Sequence, residues 1–293
     1  MNTNKFITKF RAFQLNSDGS LFSHYKNNTY TLVEARLPKG GIEVLLSDLR
    51  IHGKSKIDVL HITSWDNDHC NYQSLIEILN KLRPDRIEIP GYEPDSETGK
   101  LCRKTLLGYD EIHQERILNV IEVNNSYIRS LPIAQNGSSN NVVYQGDYLS
   151  LKKNDWSLIK LFRSMGFSVL SLGDLESCRV STRLSKNSIL SNELDVLILP
   201  HHGADNGFIT GEFLDALNPK IAICSSNNCN QYDHPRQNIR NMLSSRGIPL
   251  MTTKRGDVVI GQLEGNSYAV AISYQGDNLE NQRSEKFYPK RYS

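Results

Sequence analysis

The chain has 293 residues, 34 basic against 32 acidic side chains, 38% hydrophobic and 23% charged residues. That length buries a sizeable core in one large α/β domain; the hydrophobic content excludes a disordered chain, and the balanced charge excludes a surface that coats DNA broadly. No run approaches the roughly 18 apolar residues that span a bilayer, "MNTNKFITKF" lacks the apolar centre of a secretory signal, and the scattered cysteines Cys70, Cys102, Cys178, Cys224 and Cys229 suit reduced thiols, so a cytoplasmic protein without a membrane partner is expected.

In chain order, "NTYTLVEARL" and "IEVLLSDL" read as short strands around a "PKGG" turn. "KIDVLHITS" is β-branched and nearly continuously apolar, the pattern of a strand covered on both faces. "YQSLIEILNKLRP" sets Leu75, Ile76, Ile78, Leu79 and Leu82 on a helical stripe that Pro84 ends, and "RIEIPGY" is the next strand. Residues 93–150, with one helical stretch in "YDEIHQERILNVI" and a loop-like "AQNGSSNNVVYQGD", read as an insertion. "SLIKLF" and "FSVLSLG" form a strand pair about "RSMG". "ELDVLILPHHG" is a further buried strand, and "GEFLDALNPKIAICSS" gives helix, stop and strand. "PRQNIRNMLSSRG" is a helix with proline near its first turn and glycine beyond its end; "DVVIGQLEGNSYAVAIS" is a closing hairpin. A single domain over 1–275 is expected, followed by a loose polar tail over 276–293.

Polar motifs sit directly behind the apolar strands. "VLHIT" leads to Ser64-Trp65-Asp66-Asn67-Asp68-His69, "SVLSLG" to Asp174, "DVLILP" to His201-His202-Gly203, and "IAICSS" into a loop with His234-Pro235. Neighbouring strand ends share one edge of a layered α/β fold, so ligands distant in sequence converge there. Carboxylate oxygens and imidazole nitrogens both serve divalent cations. Each motif alone has a plainer account: Asn67 or Asp68 as a helix N-cap, Asp174 as a turn residue, His201 and His202 as a satisfied pair, His234 as an exposed loop histidine. Four such sites, each at a strand end, favour a metal centre. His61 lies on its strand and reads as a core residue or one that supports a ligand from behind.

The ordered set "TSWDNDH", "NDWSLI", "GDLE", "LPHHG" and "YDHP" resembles the metallo-β-lactamase fold, in particular the ComEC-type hydrolase domain of DNA-uptake competence proteins; the likeness runs from about Lys56 to Met242. It departs from that family where "LNSDGSLF" and "TLVEARL" replace the usual "GqGDa" and "liDgG", and where Ser64 replaces the first histidine of the metal motif. The resemblance implies an αββα sandwich in which Asp66, Asp68, His69, Asp174, His201, His202 and His234 hold two divalent metal ions, with Asp174 as the bridge and Asp68, Asp174 and His234 taking part in catalysis. Two cations roughly 3.5–4 Å apart would activate a water and neutralise developing charge. Because Asp66 and Ser64 stand in histidine positions, the oxygen-rich set favours Mn²⁺, with Zn²⁺ or Mg²⁺ as alternatives.

The activity implied is metal-dependent phosphodiester hydrolysis, with DNA as the substrate and an operon-encoded regulatory protein as a partner, as in phage-defence modules. Lys152, Lys153, Lys160, Arg163, Arg179, Arg183 and Lys186 would line a groove for DNA, or form a solvated face. Trp65, Tyr92 and Tyr232 would stack a base or simply pack. The alternatives are a small-molecule or nucleotide phosphodiesterase, and a binding or scaffold module that has lost the chemistry.

Overall fold

Short strands buried along their whole length alternate with amphipathic helices through most of the chain, and strands with one half-exposed face close both ends. The computed structural model describes residues 5–112, 119–228, 231–275 and 278–292. The first part holds β1 (Phe6–Ala12), β2 (Phe22–Lys26), β3 (Thr29–Val33), α1 (Gly41–Ile51), β4 (Val59–His61), α2 (Tyr72–Leu82), β5 (Arg86–Pro90), α3 (Glu97–Ile112), β6 (Asn119–Val123) and α4 (Asn125–Ser130). There follow β7 (Val142–Tyr144), β8 (Ile159–Phe162), β9 (Val169–Ser171), α5 (Cys178–Ser185), α6 (Ser188–Glu193), β10 (Val196–Ile198), α7 (Gly211–Leu217) and β11 (Ile221–Cys224). The chain closes with α8 (Gln237–Ser244), β12 (Leu250–Thr252), β13 (Val258–Leu263), β14 (Ala269–Gln275) and β15 (Asn278–Phe287).

Two sheets result, a nine-stranded one in the order β15-β14-β13-β1-β2-β3-β4-β5-β6 and a six-stranded one in the order β12-β11-β10-β9-β8-β7. The strands β3 to β6 are parallel, as are β9 to β12, so their C-terminal ends collect on common edges. Each sheet buries an outer face under helices. Leu45, Leu49, Leu75, Ile78 and Leu79 cover the large sheet, and Val180, Leu184, Phe213, Leu214 and Ile239 cover the small one. Phe10, Phe22, Phe162, Val196, Ile223 and Ile260 fill the space between the sheets. The αββα sandwich expected from sequence is the architecture observed.

Three local readings change. "IEVLLSDL", expected as a strand, is helix α1: Ile42, Leu45 and Leu49 are buried at helical spacing, and buried Asp48 binds Lys9 and Tyr30. Residues 93–150, of which 113–118 and with them part of the helical stretch expected in "YDEIHQERILNVI" lie outside the described residues, supply β6 and β7, the edge strands of the two sheets. Of the segment expected as a loose tail, 276–277 and 293 lie outside the described residues, Asn278–Phe287 form β15, paired antiparallel with β14, and beyond it the Lys290 amide donates to Asp195 Oδ1 at 2.8 Å. In its second half Arg283, Ser284 and Lys286 are exposed, as suits an edge strand.

The interlayer space is not wholly apolar. His24, His61, Glu88 and Lys160 are buried there, with Glu88 accepting from Lys160 and lying 2.8 Å from His61 Nδ1. Burial first, and then Lys26 and Lys160, push the His24 imidazole down to about 3. His24 therefore stays neutral in the fold while it takes up a proton near pH 6.5 in the unfolded chain. Its contribution is complete above pH 6.5 and is lost as pH falls towards the folded value, at about 1.4 kcal/mol per unit, or roughly 2 kcal/mol by pH 5. Urea unfolding at pH 7.5 and pH 5.0 is expected to show a smaller loss on acidification in His24→Gln than in the native chain; equal losses would contradict this account.

Candidate metal centre

Strand β4 ends at His61, and the chain turns at once: the Asp66 carbonyl accepts from the His69 amide at 2.9 Å and from the Cys70 amide at 2.7 Å. This tight loop ends where the Asn71 side chain caps α2 by accepting from the Ser74 amide. The cap is thus Asn71, and Asp68 is left free for the site. Asp174 follows β9, its amide held by Ser157 Oγ at 3.2 Å. His201 and His202 follow β10 with φ of 47° and 53°, and Gly203 continues the left-handed turn at 79°. A Cβ on Gly203 would stand 2.6 Å from that of Pro235, so glycine is required there.

Asp68, His69, Asp174 and His202 come together with one ligand atom each, all within 4.8 Å of one another. His69 Nε2 lies 2.9 Å from Asp174 Oδ1, and His202 Nε2 lies 3.3 Å from Asp68 Oδ2. Both imidazoles are fixed from behind. His202 Nδ1 donates to the Ser225 carbonyl at 2.9 Å, which fixes its tautomer because a carbonyl only accepts. His69 Nδ1 faces Glu34 Oε1 at 3.0 Å, and Glu34 also accepts from the Thr63 amide and hydroxyl. Each Nε2 is thereby turned towards a carboxylate, an arrangement that a proton or a metal cation between the two satisfies. His69 Nε2 is buried, and the group it faces is the Asp174 carboxylate.

The electrostatics say the same. Burial by itself would lower His69, but Asp174, Glu34 and Asp68 override it and hold the imidazole well above its ordinary value. His202 is likewise raised against burial by Asp68 and Asp174. Burial would raise both carboxylates, yet His69 and His202 pull Asp68 and Asp174 down. Two nitrogens and two oxygens around one point suit a divalent cation.

The other expected ligands lie beside this set, outside the group whose ligand atoms fall within 4.8 Å of one another. Ser64 Oγ donates to Asp66 Oδ2 at 3.0 Å, and the Asp66 carboxyl is raised chiefly by burial. His201 Nδ1 turns to Glu176 Oε1 at 3.1 Å, because consecutive residues in the left-handed turn point in different directions. His234 packs its ring parallel to that of His202 at 6.5 Å and against Tyr232 at 5.5 Å. Burial, His202 and His201 push it down to about 4. Among the described residues Asp68, His69, Asp174 and His202 are the group whose ligand atoms lie within 4.8 Å of one another, and His201 and His234 line the cleft beside them.

A cleft of about 420 Å³ opens over the set, lined by Arg36, Asp68, His201, His202, Tyr232 and His234 among others. Tyr232 is half-exposed at this cleft, whereas Trp65 and Tyr92 are buried and serve packing. The expected basic groove is largely consumed by ion pairs. Lys160 is buried on Glu88 and Arg163 on Glu193, Arg179 holds Asp147 and Lys152 holds Glu176. His61 is a buried core residue, as expected.

Two contributors were illegible as motifs. Glu34, in "TLVEARL", holds His69 from a backbone φ of 74°, strain of the kind that collects at functional sites. Gly19, in "LNSDGSLF", has φ 122°, and a Cβ there would meet the Asp68 carbonyl oxygen at 2.3 Å. A lone acid or glycine carries no signal in sequence; the pairing of β3 with β4 shows the use of Glu34, and the close approach to the Asp68 carbonyl shows that of Gly19. Removal of a carboxylate behind a ligating histidine costs about 10–100-fold in metal affinity. Glu34→Ala is expected to weaken Mn²⁺ and Zn²⁺ by that factor in competition with a chelating dye, with the far-ultraviolet spectrum unchanged; native affinity would remove Glu34 from the site.

No protein-family model matches the chain. It is 26% identical over 223 residues to ComE operon protein 3 of Bacillus subtilis, covering 75% of this chain and 26% of that protein. It is 34% identical over 90 residues to competence protein ComA of Neisseria gonorrhoeae, covering 30% and 12%. The chain therefore matches about a quarter or less of the length of these curated relatives. Similar solved structures include the metallo-β-lactamase fold protein YhfI of Bacillus subtilis, at 9% identity and a TM-score of 0.50, over 87% of this chain and 100% of that one. A CmlA β-hydroxylase E377D mutant matches at 18% identity and a TM-score of 0.50, over 87% and 54%. With its strand-end motifs gathered at one edge, the chain has the metallo-β-lactamase fold and is similar over three quarters of its length to part of ComE operon protein 3.

Proposed function

We propose that this protein is a metal-dependent phosphodiester hydrolase that acts on DNA. The observation that carries the reading is the ligand set itself: two imidazoles, each anchored at Nδ1 and turned at Nε2 to a carboxylate, on the floor of an open cleft. Asp68, His69, Asp174 and His202 would hold the cation. A divalent cation bound there supplies a Lewis acid for a phosphoryl oxygen and lowers the pKa of water. Mn²⁺ is our choice for activity, since Ser64 and Asp66 offer only oxygen to any second position.

The chain's own groups divide the remaining work. His234, neutral across the working range because its imidazole is pushed to about 4, presents a hydrogen-bonding ring to the cleft. Arg36 lines the same cleft and gives a non-bridging phosphate oxygen a guanidinium partner. Tyr232 offers a half-exposed ring for a base to stack on. The similarity to competence proteins supports DNA as the substrate. A second reading, a nucleotide phosphodiesterase, draws on the cleft's modest volume and on the ion pairs that occupy much of the expected basic groove. Control by an operon-encoded partner belongs to the same proposal, because an ungated DNase endangers its own cell.

The test is turnover of plasmid DNA, a single-stranded oligonucleotide and bis-p-nitrophenyl phosphate by metal-stripped protein given back Mn²⁺, Mg²⁺ or Zn²⁺. DNA cleavage with Mn²⁺ is expected to fall by about 10³ or more in Asp174→Ala and to drop steeply with added salt. Cleavage of the small ester alone, insensitive to salt, would favour the nucleotide reading. Bound metal without any turnover, even with the operon neighbour added, would favour a binding module. Metal analysis of the native protein is expected to give one tightly held ion per chain, and two would restore Asp66 to the ligand set.

A further inference from the structure

A cavity of about 950 Å³ lies away from the metal centre and shares no lining residue with the cleft above it. It is bounded by the starts of β3 and β5, by β7 and β8, and by α4 with the segment that follows it. Its charge is one-sided. Lys26, Arg86, Arg129, Lys160 and Arg163 line it, against the single carboxylate of Glu88. Glu88 is already divided among Lys160, Arg86 and His61. Glu193, behind Arg163, is shared with Arg291. The Lys26 ammonium donates to two neutral groups, the Ser139 carbonyl at 2.7 Å and the Asn141 side-chain oxygen at 2.9 Å. Burial, then Lys160, Arg291 and Arg163, push it down to about 8, as expected where like charges crowd without an anion.

Buried Lys160 and Arg163 are matched by Glu88 and Glu193, which leaves half-buried Lys26 and exposed Arg129 without a carboxylate partner among the described residues, a local excess of positive charge that attracts an anion. The rest of the lining indicates what that anion carries. Leu131, Pro132 and Ile133 give an apolar wall, with Ile133 92% exposed, and the rings of Tyr127 and Tyr144 complete it. Inorganic phosphate would use none of that wall. A base and sugar would use it fully, with the phosphates on the cationic side. The volume is ample for one nucleotide, since small-molecule sites run from about 300 to 1,000 Å³.

We propose that this cavity is a second ligand site, independent of the metal centre, which binds a nucleotide through its phosphates on Lys26, Arg86 and Arg129 and its base against Tyr127 and Tyr144. The site adjoins the same strands that carry the metal centre: Val59 of β4 lines the cavity four residues before Thr63, and Lys160 of β8 lies three residues after Ser157, which holds Asp174.

Calorimetric titration of the full chain with ADP, AMP and inorganic phosphate, after removal of metal by chelation, tests the proposal. ADP is expected to bind saturably to the native chain and equally to Asp174→Ala. Lys26→Glu and the exposed Arg129→Glu are each expected to weaken it by about tenfold or more, the effect of reversing a charge that contacts phosphate. Arg129 lies on the surface, so its variant decides the matter even if Lys26→Glu fails to fold. No saturable binding at millimolar ADP, binding lost in Asp174→Ala, or binding indifferent to Arg129→Glu would each overturn the proposal. Inorganic phosphate binding as tightly as ADP would overturn the base subsite and with it the assignment to a nucleotide.

Discussion

Glu34 clamps the His69 imidazole from behind, and the candidate site depends on that contact. A buried imidazole beside a buried carboxylate is unstable unless each nitrogen has a defined role. With Nδ1 tied to Glu34, only Nε2 can serve Asp174 and a cation. Glu34 itself is held by Thr63, the residue that begins the metal loop, so the loop and its support are fixed together. His202 is anchored independently, through the Ser225 carbonyl from the other sheet. The centre thus forms where the two sheets meet, with one histidine secured by each.

The layers explain why a charged site survives in a protein of ordinary hydrophobicity. Apolar side chains are spent on the two outer helix-sheet interfaces and on one portion of the interlayer space. Elsewhere between the sheets stand His24, His61, Glu88, Lys160 and Arg163, each buried and most of them in ion pairs. Such pairs add little net stability compared with apolar packing. They do commit Lys160 and Arg163 to the interior, which removes them from any groove for a polyanion at the metal cleft and places them instead around the cavity beneath α4.

Much of the fold was legible in the sequence because its central strands are continuous apolar runs with polar ends. "KIDVLHITS" and "ELDVLILP" announced buried strands and "SLIKLF" with "FSVLSLG" a strand pair, which is β8 antiparallel to β9, and the residues just beyond these strands form the site. "IEVLLSDL" misled because its apolar residues are dense enough to fit a strand, whereas Asp48 on the inner face is satisfied only through Lys9 and Tyr30, which lie far off in the chain. The segment after Gly276 misled in the opposite way. Polar side chains suggest a tail, but an edge strand needs backbone hydrogen bonds rather than apolar side chains.

The sequence by itself determined the strand-end placement of Asp68, His69, Asp174 and His202 and the core position of His61, since each follows from local periodicity and residue chemistry, while the sandwich class came from the resemblance its motifs carry. Tertiary structure alone decided which expected ligands converge. Asp66, His201 and His234 carry suitable chemistry at suitable spacing, yet the side-chain directions of a tight turn and of two consecutive left-handed residues send them to Ser64, Glu176 and the ring of His202. It also decided the parts played by Glu34 and Gly19, because a supporting carboxylate and a close backbone approach are relations between strands, and spacing within one strand does not encode them.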